Sequence, residues 1–154
     1  MHKDFYASGF LYHIPSQQIL LQQYPLGANK VLTCSLFTGK IHSRESFRIA
    51  FQRIIYMTLR RKLPEKTIYD VYDYYDADLK KNNAVVYAEL SKLEHFPPKK
   101  NIMFMWLSTK NIHKLPIPEQ MKHDITVGQR VINAKQRTLT GEQLPQRDIL
   151  VNKT

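Results

Sequence analysis

The 154-residue chain contains few of the residues on which disulfide-rich and fibrous proteins depend. It contains one cysteine, Cys34, so no internal disulfide can form and a disulfide scaffold is excluded. Only 5 glycines and 8 prolines occur, too few for a collagen-like or low-complexity chain. No apolar run approaches the roughly 20 residues that a membrane-spanning helix needs. With 43% hydrophobic residues, we expect one globular domain. The single cysteine and the lack of a secretory pattern at the N-terminus predict a cytoplasmic protein without membrane attachment.

Acidic residues are scarce relative to basic ones. Asp and Glu number 13 against 23 Lys and Arg, which gives a formal net charge of +10. The charge is uneven, because residues 1–60 carry +5, residues 61–98 carry −1 and residues 99–154 carry +6. This balance favours polyanions as partners, although the acidic middle argues against a uniform nucleic-acid coat. Charge that serves solubility alone is the alternative interpretation.

The hydrophobic pattern predicts strands, one strong helix, more strands and a second helix. The predicted strands are 5–14, 18–24, 31–37, 67–75, 84–90 and 101–108. The apolar run 102–107 is so continuous that we expect it to be shielded from water on both faces, in the core or in a homodimer interface. A C-terminal helix is predicted from about 119 to 135. The order indicates an α+β fold with a mixed sheet, with one domain over 1–138 and a loose tail over 139–154.

Residues 43–63 form the most regular helical pattern in the chain. Apolar side chains recur at the spacing of one helix face, at Phe47, Ala50, Phe51 and Ile54. Ser43 is the predicted N-cap and Glu45 a first-turn acid, and Pro64 ends the helix.

A spaced motif lies where the third strand meets this helix. Gly39 is followed after five intervening residues by Glu45, and Glu45 is followed after seven intervening residues by Arg53. This arrangement resembles the box of the Nudix hydrolases, in which Gly, Glu and Arg stand at the same spacing. The preceding hairpin and the following strands and helix also resemble that family, over roughly residues 5–137. The resemblance implies a mixed sheet between helices, an α/β/α arrangement, in which Gly39 and Ile55 keep structural positions of the box.

The box departs from the family pattern where the family has its other three glutamates. Ile54, Met57 and Thr58 stand at those positions, and Arg60 and Arg61 replace the closing glycine and aliphatic residue. Nudix enzymes cleave diphosphate-linked compounds with Mg²⁺ or Mn²⁺, and hard cations of this kind need oxygen ligands. The resemblance therefore implies a Nudix-fold protein with lost or weak metal-dependent hydrolysis.

The surviving charged side chains near the box suggest ligand binding. Glu45 is the one retained box glutamate and thus the candidate catalytic residue. Arginine and lysine attract phosphate, and guanidinium does so through paired hydrogen bonds. The candidate ligands of a nucleotide or other diphosphate-containing molecule are Lys40, Arg44, Arg48 and Arg53. Phe5, Tyr6 or one of the later tyrosines is the candidate for stacking on a base.

Two other functions stay open at this point. An active pyrophosphohydrolase would need substitute carboxylates beside Glu45 to hold Mg²⁺ or Mn²⁺; the candidates are Asp70, Asp73, Glu89 and Glu94. Strand alternation predicts that Asp70 and Asp73 point to opposite faces. A third hypothesis is a basic module that binds nucleic acid or another protein on the same scaffold, and this hypothesis depends on the net positive charge.

Overall fold

The computed structural model describes residues 5–26 and 31–141, which contain seven strands and two long helices. These are β1 (Phe5–His13), β2 (Gln18–Leu26), β3 (Val31–Ser35), β4 (Phe37–Lys40), α1 (Phe47–Leu59), β5 (Ile68–Asp76), β6 (Lys81–Glu89), β7 (Met103–Ser108) and α2 (Glu119–Thr140). Two short 3₁₀ helices, Glu65–Thr67 and Thr109–Lys114, precede β5 and follow β7. The predicted element order is confirmed, except that the third predicted strand is divided into β3 and β4.

The strands form one mixed sheet. β1 runs parallel to β6 and antiparallel to β2 and β4, while β5 adds to the far side of β6. β2 pairs with β7 and with β3. β1 and β2 pair only over their adjoining ends, so β3 and β4 fill the space where the two strands diverge. This arrangement brings β4, and the loop that follows it, alongside the beginning of β1.

The two long helices cover opposite faces of the sheet. Alternate residues of β1 supply the two cores, because successive side chains of a strand point to opposite faces. Ala7 and Leu11 pack with the α1 residues Phe51 and Ile55 in one core. Phe10 and Tyr12 pack in the other, which includes these α2 residues: Met121, Ile125 and Ile132. The predicted α/β/α layering is confirmed, and Cys34 is buried in β3.

Helix α1 begins four residues later than predicted. Its N-cap is Ser46, whose hydroxyl oxygen accepts a hydrogen bond from the amide of Ile49 at 3.1 Å. The predicted N-cap Ser43 and the first-turn position of Glu45 are therefore wrong, since both residues lie in the loop before the helix. The helix ends at Leu59 because Arg60 has a left-handed backbone, with φ of 58°. The Nudix pattern has a glycine at this position. Arg60 adopts the left-handed turn there although it is not a glycine.

A β-bulge in β5 overturns the expected directions of two acidic residues. The register with β6 shifts between Asp70 and Tyr72, so Val71 is an extra residue in the strand. Asp70 lies opposite Val86 and Asp73 opposite Ala84, and these two β6 residues share a face. Asp70 and Asp73 therefore point to the same face, that of α1, rather than to opposite ones.

Within the described residues β7 is not shielded on both faces, so the expectation of a core strand is wrong, while a homodimer interface stays a prediction. Its side chains are partly exposed and Met103 is 42% exposed. β7 pairs with β2 alone in the described part of the sheet, so it is an edge strand. At the C-terminus, α2 extends through Thr140 and ends at Gly141, so residues 139–140 are helical. The rest of the predicted tail lies outside the described residues.

Gly9 allows α1 to approach the sheet closely. A Cβ atom at this position would clash with the carbonyl oxygen of Val86 and would lie 2.7 Å from the ring of Phe51. Both neighbours are fully buried, so neither can move far. The absence of a side chain at Gly9 is therefore a condition for seating α1 over β1 and β6.

We expect Gly9→Ala to lower the free energy of unfolding by about 1–3 kcal/mol, because the added methyl group overpacks this contact. Urea denaturation measures the change. Phe51→Leu, alone and together with Gly9→Ala, completes a double-mutant cycle. The shorter side chain should relieve part of the clash, so the double variant should lose less than the two single variants together. Strictly additive losses would show that Phe51 and Gly9 do not constrain each other.

Candidate functional site

An ion pair fixes the loop between β4 and α1. Arg53 Nε donates to Glu45 Oε2 at 2.8 Å and Arg53 Nη2 donates to Glu45 Oε1 at 2.9 Å. Arg53 Nη2 also donates to the carbonyl oxygen of Lys40 at 2.7 Å. The amide of His42 donates to Glu45 Oε1 at 2.8 Å. One helix side chain and one loop side chain thus hold both ends of the loop.

This network sets the protonation of Glu45. The pKa of the Glu45 carboxyl is lowered to about 2, chiefly by the hydrogen bonds from Arg53. Burial opposes this effect, and the hydrogen bond from the amide of His42 adds to the lowering. The pKa of Arg53 is raised by the same contact. Both groups are therefore charged near neutral pH, and each satisfies the other. In this arrangement the two residues of the motif stabilise the loop–helix junction.

The face of α1 beside Gly39 is apolar where the Nudix pattern has metal-binding carboxylates. The side chain of Ile54 lies so close that a Cβ atom on Gly39 would be 2.9 Å from its Cγ1. Met57 is 57% exposed and Thr58 is half-buried. Among residues 5–26 and 31–141, no group of three or more His, Cys, Asp or Glu side chains is placed to hold a metal ion. The residues present do not fit Mg²⁺ or Mn²⁺ at this position.

The candidate substitute carboxylates are dispersed, and three of them pair with separate basic residues. Asp70 Oδ2 lies 3.3 Å from Arg48 Nη2. The other two pairs are Glu89 with Lys135 at 2.7 Å and Glu94 with Arg61 at 3.0 Å. Asp73 shares the α1 face of the sheet but is exposed. The structure brings none of these four side chains into contact with Glu45.

The basic candidates divide into two groups. Arg48 and Arg53 are held by Asp70 and Glu45, as described above. Lys40 ends β4 and is exposed, and Arg44 lies exposed in the following loop with a φ of 70°. Lys40 pairs in register with Tyr6, whose side chain lies on the opposite face of the sheet from α1. Lys40 therefore points toward the α2 side of the sheet.

A row of polar side chains lies on that α2 side. Tyr74, Asn83, Tyr6 and Lys40 are successive register partners across β5, β6, β1 and β4. Register partners in a pleated sheet share a face, so these four side chains lie side by side. Lys81 joins them, because its Nζ lies 4.3 Å from the centroid of the Tyr6 ring. Aromatic, amide and ammonium groups therefore meet at the end of the sheet where the box loop begins.

Hydrogen bonds connect this row to the next row and to α2. Ser8 Oγ donates to Asn83 Oδ1 at 2.9 Å and lies 2.8 Å from Thr38 Oγ1. Asn83 Nδ2 donates to the hydroxyl of Tyr74 at 3.2 Å. On the helix, the Oδ1 atom of Asp124 accepts from the hydroxyl of Tyr72 at 2.5 Å and from Gln120 Nε2 at 2.9 Å. We call the residues in these contacts, together with Tyr6, Lys40 and Lys81, the polar sheet site.

Asp124 is an acid in a buried position of this site. It is 3% exposed, and burial raises the pKa of its carboxyl, while the hydrogen bonds from Tyr72 and Gln120 oppose that effect. Burial and the neighbouring Asp124 in turn raise the pKa of Tyr72. The sequence analysis missed this residue. Its signal was a carboxylate within the apolar stripe of α2, between Met121, Ile125 and Gly128.

Comparison with known proteins identifies the fold. No family model matches the chain, and no curated protein matches it. A solved MutT structure, from work on Aliivibrio salmonicida and Vibrio cholerae, matches with a TM-score of 0.60 and 14% identity, covering 86% of this chain and 99% of that one. The NUDIX domain of Shewanella oneidensis NrtR, solved in complex with ADP ribose, matches with a TM-score of 0.63 and 13% identity, covering 86% and 90%.

An ADP compounds hydrolase is also similar, with a TM-score of 0.65 and 11% identity over 86% of this chain and 75% of that chain. These matches show that the chain has the Nudix fold, as the resemblance predicted. At such low identity they establish the architecture alone. Neither helix of the described residues is long and apolar enough to cross a membrane.

We expect Glu45→Gln to destabilise the protein in a pH-dependent way. The pKa of Glu45 is about 2 in the folded chain and ordinarily 4.5, so its contribution is complete above pH 4.5 and is lost as the pH falls toward 2. At pH 7 the substitution should cost about 1.5–3 kcal/mol, as expected for hydrogen bonds to charged groups. Urea unfolding from pH 7 to pH 3 should show a smaller pH dependence for the variant.

The matched control is Asp70→Asn, which removes the carboxylate of a more exposed pair. Asp70 and Arg48 have side chains that are 59% and 43% exposed, so the loss should stay below about 1 kcal/mol. Equal losses for the two variants would contradict the structural importance of the Glu45 pair.

Proposed function

We propose that this protein binds a nucleotide or a related phosphorylated molecule at the polar sheet site, without metal-dependent hydrolysis. The observation that carries the proposal is the set of hydrogen-bonded polar side chains on the α2 side of the sheet, which includes buried Asp124, with Lys40 and Lys81 at the end of the same face. Ligand sites commonly combine aromatic surface with a few convergent polar groups of this kind. Two of the similar structures, an ADP ribose complex and an ADP compounds hydrolase, suggest the first ligands to test.

The base of such a ligand would be recognised by the inner part of the site. Asp124, Asn83 and the hydroxyls of Tyr72 and Tyr74 offer both donors and acceptors in fixed positions. Polar groups in fixed positions distinguish ligands by their hydrogen-bonding edges. A ligand that cannot pair with one of these groups would leave it buried without a hydrogen bond, which is costly. Tyr6, half-buried beside them, is our choice for the stacking aromatic.

We assign the phosphate side to Lys40, Lys81 and Arg44. Arg48 and Arg53 are less suited, because Asp70 and Glu45 hold them on the α1 side of the sheet. An ammonium group attracts phosphate as a point charge, and Lys81 already lies over the Tyr6 ring. A ligand stacked on Tyr6 would therefore have at least one cation beside it.

We infer that hydrolysis is lost because α1 no longer supplies carboxylates. The side chains of Ile54, Met57 and Thr58 cannot neutralise a divalent cation. The carboxylate of Glu45 is already paired with Arg53. In this proposal the chain keeps the ligand site of a hydrolase-like scaffold and lacks the group that would activate water. Binding should then be independent of Mg²⁺ and Mn²⁺.

We expect ADP-ribose or a nucleoside diphosphate to raise the melting temperature and to bind in calorimetry with a metal chelator present. Lys81→Gln should weaken this binding by roughly tenfold, the loss of one charge-assisted contact. Lys66→Gln is the matched control, since Lys66 is exposed on the 3₁₀ helix before β5. Unchanged affinity in Lys81→Gln, or equal loss in the control, would contradict the assignment.

We expect no release of nucleoside monophosphate when the same compounds are incubated with the protein and Mg²⁺ or Mn²⁺. Glu45→Gln provides the control against a contaminating enzyme. Turnover that depends on metal and disappears in Glu45→Gln would overturn the proposal. It would instead favour an active hydrolase that recruits Asp70 or Asp73 from the same face of the sheet.

A further inference from the structure

A second basic surface lies on the outer flank of α2, apart from the polar sheet site. The 3₁₀ helix Thr109–Lys114 and the first half of α2 enclose a groove of about 320 Å³. Four basic side chains line it: Lys110, His113, Lys122 and Arg130. Its remaining lining consists of threonine, glutamine and isoleucine side chains, with no carboxylate. We call this surface the basic groove.

The helix supplies its basic side chains at a regular spacing. Lys122, Thr126 and Arg130 recur every fourth residue, so they form one stripe along α2 that spans about 12 Å. Lys122 Nζ donates to the carbonyl oxygen of His113 at 3.0 Å, which holds this ammonium at the groove. On the other side of the groove, in the 3₁₀ helix, Lys110 and His113 are exposed.

The surroundings do not neutralise these charges. Between residues 109 and 141 the chain has only two acidic residues, Glu119 and Asp124, and neither lines the groove. Asp124 is buried on the sheet side of α2. The floor of the groove is apolar, because Ile112 and Ile125 are almost fully buried beneath it. A concave surface with an apolar floor and a cationic rim is suited to a ligand that is flat and apolar in one part and anionic in another.

We propose that the basic groove binds single-stranded nucleic acid, with a base over the apolar floor and the backbone phosphates along the stripe of α2. A strand provides both features repeatedly, so several phosphates can be contacted at once. This interaction is separate from the small-ligand site, because it uses the opposite flank of α2. It also gives a role to three of the ten Lys and Arg residues that follow residue 98.

The test uses fluorescence anisotropy with labelled RNA and DNA oligonucleotides of about 12 nucleotides. We expect binding that weakens with salt, with a slope of log K against log salt of about −2 to −3, since each phosphate contact on a single strand contributes about −0.7. The double variant Lys122→Gln/Arg130→Gln should bind about tenfold more weakly and reduce the slope by about 1.4. Comparing the affinities of the RNA and DNA oligonucleotides shows which of the two nucleic acids the groove prefers.

The control is Lys66→Gln/Lys92→Gln, which removes the same charge from two exposed positions outside the groove. It should keep the wild-type affinity and slope. Equal losses in both double variants would overturn the proposal in favour of diffuse net charge, and so would undetectable binding of either oligonucleotide. Polyglutamate that displaces the oligonucleotide at matched charge would overturn it in favour of an acidic protein partner.

The melting temperature of the groove variant shows that it is folded. Its response to ADP-ribose should equal that of the wild type, because the polar sheet site is unaltered. The two proposals can therefore fail separately.

Discussion

The pairing of Glu45 with Arg53 is the interaction on which the rest of the site depends. Arg53 projects from α1, and Glu45 lies in the preceding loop, so their two hydrogen bonds join the helix to the loop that leads into it. The additional bond from Arg53 to the carbonyl oxygen of Lys40 extends this connection to the end of β4. The position of Lys40 beside Tyr6, and with it one edge of the polar sheet site, follows from this junction.

The two faces of the sheet differ in their chemistry. On the α1 side, Ile54 packs over Gly39 where the Nudix pattern has a carboxylate, and the ionised side chains nearby already form pairs. On the α2 side, Asn83, Ser8 and Asp124 are buried yet polar. Ser8 donates a hydrogen bond to Asn83, and Asp124 accepts hydrogen bonds from Tyr72 and Gln120. Burying so many polar groups is costly unless each is satisfied. We infer that the binding function resides on the α2 side, while the α1 side has retained the architecture alone.

Much of the fold was predictable because it depends on local patterns. The helical stripe around Phe51 and the opening hairpin predicted the α+β element order. The spacing of Gly39, Glu45 and Arg53 carried the resemblance that implied the layered α/β/α arrangement. Details that depend on nonlocal packing were not predictable. The N-cap of α1 at Ser46 depends on where Glu45 finds its partners. The shared direction of Asp70 and Asp73 depends on a bulge that strand alternation cannot reveal. The polar sheet site was not predicted for the same reason, since five separate elements contribute to it. Asp124 meets its partner Tyr72 only when α2 packs against the sheet.

A crystal structure of the protein with ADP-ribose, grown in the presence of a metal chelator, would test the central claim most directly. The account predicts the ligand on the α2 side, with its base against Tyr6, Asn83 and Asp124 and its phosphates near Lys40 and Lys81. A ligand lying along α1 and bound only when Mg²⁺ or Mn²⁺ is added, with the metal held by Glu45 or Asp70, would contradict it.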